Sequence, residues 1–186
     1  MNGRIFFKKY SRQISFMYKI YVSIPRFLRS ILCELFSRGK FGLILRYFDL
    51  KLNSVSVGEN IYVAKQSVFK NLKHFSCGAN LSIHEFCYID AAGGIEIGDN
   101  VSIAHNCSLV SFEHTWADLE NPIKYNPTKL NSIKIGNDVW LGCGVRVLAG
   151  TVIEDRVIVA AGAVVKGTLE SGHLYGGIPA KKLKKL

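Results

Sequence analysis

Aliphatic side chains recur at intervals of six along the C-terminal half of the chain: Ile135, Leu141, Val147, Ile153, Val159 and Val165. Four residues after each comes a second small or apolar position: Val139, Val145, Thr151, Val157, Ala163 and Leu169. A strand alternates with period 2 and a helix with about 3.6, so neither makes a strict six. The hexapeptide repeat predicts a parallel β-helix. Three hexapeptides close one triangular coil, and coils stack at the spacing of paired strands, about 4.8 Å. The register extends upstream through Val57, Val63, Ile83, Ile89, Ile97, Ile103 and Leu109, with a two-residue insertion near Ile95. This predicts about five coils across residues 54–170. Cys87 and Cys107 each stand four residues after a register aliphatic and should stack inside the prism, where Cys behaves as a small apolar residue.

The register fails once, between Val110 and Lys134. A loop of this length in a compact repeat fold is usually functional. It carries His114, Trp116, Asp118, Glu120 and Tyr125, and is stiffened by Pro122 and Pro127.

Residues 1–53 follow a different pattern. Ile14, Met17, Tyr18 and Tyr21 have helical spacing, as do Phe27, Ile31, Leu32 and Leu35. Pro25 divides the two predicted helices, and Ser37, Arg38 and Gly39 end the second. No 18-residue stretch lacks charge, so a spanning helix is excluded. Two roles stay open for this basic amphipathic extension. It can cap the exposed edge of the first coil, or lie on an anionic membrane surface.

Charge sharpens the division. Residues 1–53 hold 11 Lys and Arg against Glu34 and Asp49, a net of +9. Residues 54–180 are net −3, and the basic tail, residues 171–186, ends in Lys181, Lys182, Lys184 and Lys185. A phosphate backbone needs a basic stripe on the folded surface, so nucleic acid is not an expected partner. Five Cys, odd in number and without a CxxC pair, together with the lack of a signal peptide, predict reduced thiols in a cytoplasmic protein.

Three segments carry a resemblance: IGDNVSIAHNCSLVSFEHTW, then IGNDVWLGCGVRVLAGTVIEDRVIVAAGAVV after the loop, then GGIPAKKLKK. Together they resemble the hexapeptide-repeat acyltransferases, nearest to the galactoside, maltose and polysaccharide O-acetyltransferases, over residues 55–186. The resemblance implies an all-β fold, a left-handed parallel β-helix with an N-terminal helical extension. It also implies a homotrimer with sites between adjacent subunits, and acetyl-CoA as acyl donor with no metal. The expected reaction is direct acetyl transfer to a hydroxyl, most specifically one of a cell-surface polysaccharide or its sugar precursor.

An alcohol must lose its proton as it attacks a thioester, so a base is required. His114 matches the family's catalytic His. Phe112 stands where many relatives have a second His. The oxyanion donor implied is a backbone N–H near Cys143, whose thiol needs no role. His84 falls at an acceptor-binding position, and Asp90 and Trp116 are further acceptor candidates. For the donor, Trp140 would wall the groove and Gly142, Cys143, Ala160 and Ala161 would line it, while Lys166 and Lys181 would meet the phosphates. Serine and sugar N-acetyltransferases are rival enzyme readings, and a non-catalytic scaffold is the rival from another class. A zinc carbonic anhydrase on the same coil is disfavoured, because no two of the five His have the His-x4-His spacing.

Overall fold

A computed structural model of the chain describes residues 3–36 and 39–186. Ser37 and Arg38, at the predicted end of the second helix, lie outside the described residues. Residues 54–185 form a triangular β-helix. Among the described residues, face A has six strands, from Ser56–Val57 to Thr168–Leu169, and face C has five, from Val68–Lys70 to Val164–Val165. Face B has seven, from Tyr62–Val63 to Lys181–Lys185.

Each face buries one ladder of the repeat, and neighbouring strands run parallel. On face A the ladder is Val57, Cys77, Ile97, Ile135, Ile153 and Leu169. On face B it is Val63, Ile83, Ile103, Leu141, Val159 and Tyr175. On face C it is Phe69, Ile89, Leu109, Val147 and Val165. Cys87 and Cys107 are buried in successive coils as the repeat predicts, their thiols donating to the carbonyls of Ala104 and Gly142 at 3.2 and 3.1 Å. All five Cys are free.

Three differences from the sequence reading have local causes. The two-residue insertion before Ile95 also occurs one coil earlier, where a 3-10 turn at Leu72–His74 fills it, so Val57, Cys77 and Ile97 align at intervals of 20. Residues 171–186 are not a tail. His173–Gly176 adds to face B, and Lys181–Lys185 turns back antiparallel on it, closing the last coil. Among the described residues the N-terminal extension holds four helices rather than two: α1 Gly3–Lys9, α2 Ser11–Ser23, α3 Arg26–Leu35 and α4 Gly39–Asn53.

α4 is the cap. Leu45, Tyr47, Phe48 and Leu50 are buried with Ile14 and Tyr21 of α2 in a cluster continuous with the coil core. Two of its side chains satisfy carbonyls of the first coil, where no further coil can donate. Arg46 Nε donates to Val63 O at 2.7 Å, and the Tyr47 hydroxyl donates to Gly58 O at 3.3 Å. Burial pushes the Tyr47 phenol up to about 12. Among the described residues no helix is long and apolar enough to cross a membrane.

Candidate active site

Two corners of the prism collect the candidate residues, one at each end of face C. The first lies between faces B and C. The residues following the buried ladder of face B stack there as His84, Ala104, Gly142, Ala160 and Gly176. Their next neighbours are Glu85, His105, Cys143, Ala161 and Gly177. Backbone bonds tie this column together: Gly142 N to Val159 O at 2.8 Å, Gly144 N to His105 O at 3.0 Å and Gly162 N to Cys143 O at 2.8 Å. A Cβ on Gly142 would stand 2.6 Å from Ala161 N and 2.9 Å from Val159 O, so only glycine permits this coil spacing. The Cys143 N–H sits in the turn, and no acceptor meets it among the described residues. Trp140, 52% exposed, stands on face B two residues before Gly142.

Ala64 opens the column after Val63, and His84 comes next. Its ring lies 5.5 Å from that of Tyr62, and its Nδ1 is 4.0 Å from Glu85 Oε2. α4 adds Arg46 here, within electrostatic reach of Tyr62 and Glu85. Burial pulls its guanidinium below the ordinary Arg range, against the opposing influence of Tyr62 and Glu85. Arg46 carried no signal in the sequence, because the spacing analysis did not resolve α4 and the contact joins residues 39 apart.

The second corner lies between faces C and A, and there the chain leaves the coil. Residues 111–131 form an arm. Phe112–His114 pairs antiparallel with Thr128–Leu130, placing His114 opposite Thr128. Strand alternation sends Glu113 to one face and Phe112 and His114 to the other. Glu113 reaches Lys166 at 3.0 Å, two coils further on at the same corner, so the arm lies along that side of the prism. His114 is exposed, with the Phe112 ring centroid 6.4 Å away.

The arm tip is organised by a residue that the sequence did not single out. Asn126 is buried in a segment that is otherwise exposed. Its Nδ2 donates to the carbonyls of Asp118, Asn121 and Pro122 at 3.1, 3.1 and 3.3 Å, and its Oδ1 accepts from Asp118 N at 3.0 Å. The Asn121 amide bonds the Asp118 carboxylate at 2.7 Å and, with the Glu120 N–H, holds it below the usual carboxylate range. Around this knot Trp116 and Leu119 project into solvent, 69% and 93% exposed.

The structure therefore brings His84, Gly142, Cys143, Ala160 and Ala161 to one corner, with Trp140 beside them. It leaves His114, Trp116 and Lys166 at the other. Lys181 lies exposed on the last strand of face B, opposite Gly176. Asp90 is directed inward: it is 4% exposed, and its Oδ1 accepts from Asn71 Nδ2 at 2.7 Å and from Ala92 N at 3.2 Å. It caps the corner where the two extra residues enter, rather than facing an acceptor. The arm leaves the coil after the face C strand Ser108–Val110, whereas Cys143 stands in the turn that precedes the face C strand Arg146–Val147, so the two lie at opposite ends of that face.

A family model for the bacterial transferase hexapeptide (six repeats) matches residues 132–167. A Lysinibacillus sphaericus protein named as a macrolide acetyltransferase is 30% identical over 127 residues, covering 64% of this chain and 69% of that one. An Escherichia coli K12 protein named as a lipopolysaccharide-biosynthesis O-acetyltransferase is 29% identical over 144 residues, covering 71% and 72%. A Mycobacterium tuberculosis protein named as an acetyltransferase is 38% identical over 90 residues, and the chain spans 30% of its length. Among solved structures, a maltose O-acetyltransferase from Clostridium difficile 630 superposes with a TM-score of 0.74 at 26% identity, covering 90% of this chain and 88% of that one.

Proposed function

This chain belongs to the hexapeptide-repeat acetyltransferases, and from that premise we propose that it moves the acetyl group of acetyl-CoA directly to a hydroxyl of a sugar, with His114 as general base. The observation that carries the reading is the exposed His114 on an arm that leaves the coil at one end of face C, with the Cys143 turn at the other end of that face. The two halves of the chemistry meet only if the arm of one copy faces the small-residue corner of another. Three copies around an axis make three such clefts, so the reading includes a cyclic trimer. The exposed Trp116, Leu119, Ile123 and Tyr125 of the arm tip supply apolar surface for that contact.

In this site the thioester carbonyl of the donor lies against the Cys143 turn. Pantetheine extends along Gly142, Ala160 and Ala161, which are small enough to admit it, and Trp140 bounds the groove. The acceptor hydroxyl lies between His114 and the carbonyl carbon. As the oxygen attacks, the His114 imidazole takes its proton as general base. The Cys143 N–H bonds the oxyanion of the tetrahedral intermediate. The C–S bond then breaks, and the departing sulfur takes the proton from the His114 imidazolium, so CoA leaves as the thiol and the neutral base is restored. His84, with Tyr62, Glu85 and Arg46 around it, offers donors and acceptors for the sugar. The sugar class is supported by the maltose and lipopolysaccharide relatives.

His114→Ala tests the assignment. Transfer to a panel of sugars, followed by mass spectrometry, should fall by about 10²–10⁴ in kcat, while acetyl-CoA affinity by titration calorimetry stays near that of the parent protein. Full retained turnover, or an equal loss of donor binding, would refute the general-base role. Light scattering should report a mass three times that of the chain.

A further inference from the structure

α3 is amphipathic the wrong way round for a helix that only packs on its own protein. Phe27, Ile31 and Leu35, spaced four apart, form a stripe with Leu28, and these residues are 66%, 49%, 71% and 40% exposed. The face turned toward the fold carries Leu32, Cys33 and Arg29, all half-buried, and Arg29 stacks 5.6 Å over the Tyr21 ring. A helix stabilised by packing normally does the reverse. α2 repeats the pattern: Ile14 and Tyr21 are buried, while Phe16 and Ile20, one turn apart, are exposed. Capping of the β-helix is performed by α4 and by the inner faces of α2 and α3, so these outward apolar residues are left over from that task.

We propose that the outward stripe of α3, with Phe16 and Ile20 of α2, docks the protein on an anionic phospholipid bilayer. Charge selects this occupant. Arg12, Lys19 and Arg26 are exposed on the same two helices, and residues 1–53 carry a net of +9. A second copy docking on this face would bring two such charges together, whereas an anionic leaflet attracts them. At the foot of α3, Arg26, Arg29 and Lys73 line a cleft of about 430 Å³ together with Asp49 and Asn53, so three cations and one carboxylate meet there. Apolar side chains below a basic rim suit a helix lying in the interface plane. The proposal does not depend on the transfer reaction.

The full-length protein is sedimented with phosphatidylglycerol vesicles and with phosphatidylcholine vesicles. Raising salt from about 0.1 M to about 1 M shortens the Debye length from about 10 to about 3 Å. Binding to phosphatidylglycerol at the lower salt, at least tenfold weaker at the higher salt and absent from phosphatidylcholine, is expected. Phe27→Gln/Ile31→Gln/Leu35→Gln should lower binding at least tenfold without changing the thermal midpoint, because all three side chains are exposed. Arg12→Gln/Lys19→Gln/Arg26→Gln, which leaves every apolar residue in place, should lower it comparably at low salt. Three outcomes overturn the proposal. The parent protein stays in solution with phosphatidylglycerol at low salt; either triple variant binds as well as the parent; or the apolar variant reduces the oligomer mass without lipid, which makes the stripe a contact between copies.

Discussion

Replacing Asn126 with Ala should open the arm that carries His114 without unfolding the coil. The amide has two hydrogens shared among three carbonyls, and its oxygen takes one more bond. Taken as three net hydrogen bonds at about 0.5–1.5 kcal/mol each, with the freed groups able to reach water, the loss is about 2–4 kcal/mol. At about 1.4 kcal/mol per factor of ten, the opening constant of the tip rises roughly 30- to 700-fold. Lys124 lies in the 3-10 turn Ile123–Tyr125 inside that tip and is exposed, so it reports the opening to trypsin. When reclosing is fast, the cleavage rate follows the open population, so cutting after Lys124, located by mass spectrometry, should accelerate by the same factor.

The arm contributes Asn126 and no apolar residue to the buried core, so the thermal midpoint should move by less than about 2 °C. Asn126→Asp keeps the size but sets a carboxylate against three carbonyl oxygens, and should open the tip further than Ala does. Cleavage after Lys124 at the parent rate in Asn126→Ala, with the coil intact, would refute the claim that this amide holds the arm. So would a fall in the midpoint of the size expected for a core cavity.

Three further outcomes follow from specific contacts. Gly142→Val forces a Cβ to 2.6 Å from Ala161 N, a backbone atom that cannot rotate away, so acetyl-CoA binding by calorimetry should be lost and the thermal midpoint lowered. Burial raises the Cys77 thiol from 9.0 to about 11. Folding therefore favours the neutral form: this contribution is whole below about pH 9 and is lost as pH rises through about 11, at about 1.4 kcal/mol per unit. Unfolding free energies from urea titrations at about pH 8 and about pH 10.5 should thus converge by about 2 kcal/mol in Cys77→Val, which retains an aliphatic residue on the ladder. Glu113→Gln removes an exposed ion pair and should cost under about 1 kcal/mol in stability, read by urea denaturation, while lowering kcat more than donor affinity because His114 is its neighbour on the arm.

The coil was legible because the prism interior admits one kind of residue per face, and Ile135 to Val165 show that constraint without interruption. Where it weakens, legibility weakens with it. Cys77 and Phe69 occupy ladder positions, but their chemistry is not that of the repeat, and the 20-residue spacing around them hides the six. The insertion before Phe75 was missed for the same reason: Asn71 to His74 is a polar turn whose length becomes clear only when Val57 is seen to pair with Cys77. α4 was missed because Leu45, Tyr47, Phe48 and Leu50 are buried on more than one side, so no single helical stripe stands out. The same packing explains why α3 was legible: its stripe faces water, and nothing on the solvent side interrupts it.

The site was legible in its parts and silent in its arrangement. His114 stood out because a long break in a six-residue register costs the coil continuity and calls for a reason. Gly142 and Cys143 stood out through a resemblance of local sequence, which reports what a turn looks like and not which corner of the prism it occupies. Which corner is decided by counting: Cys143 follows a face B strand, whereas the arm follows a face C strand, so the two stand at opposite ends of face C. Asn126 escaped notice because a buried Asn and a solvated one read alike, and its value lies in three carbonyls that converge only once the arm has turned. His114, the proposed general base, is thus carried on an element with almost no apolar core, held by its strand pairing, the Asn126 amide and the exposed Glu113–Lys166 pair. Its position is the property of this molecule that a single polar substitution can change while every coil stays intact.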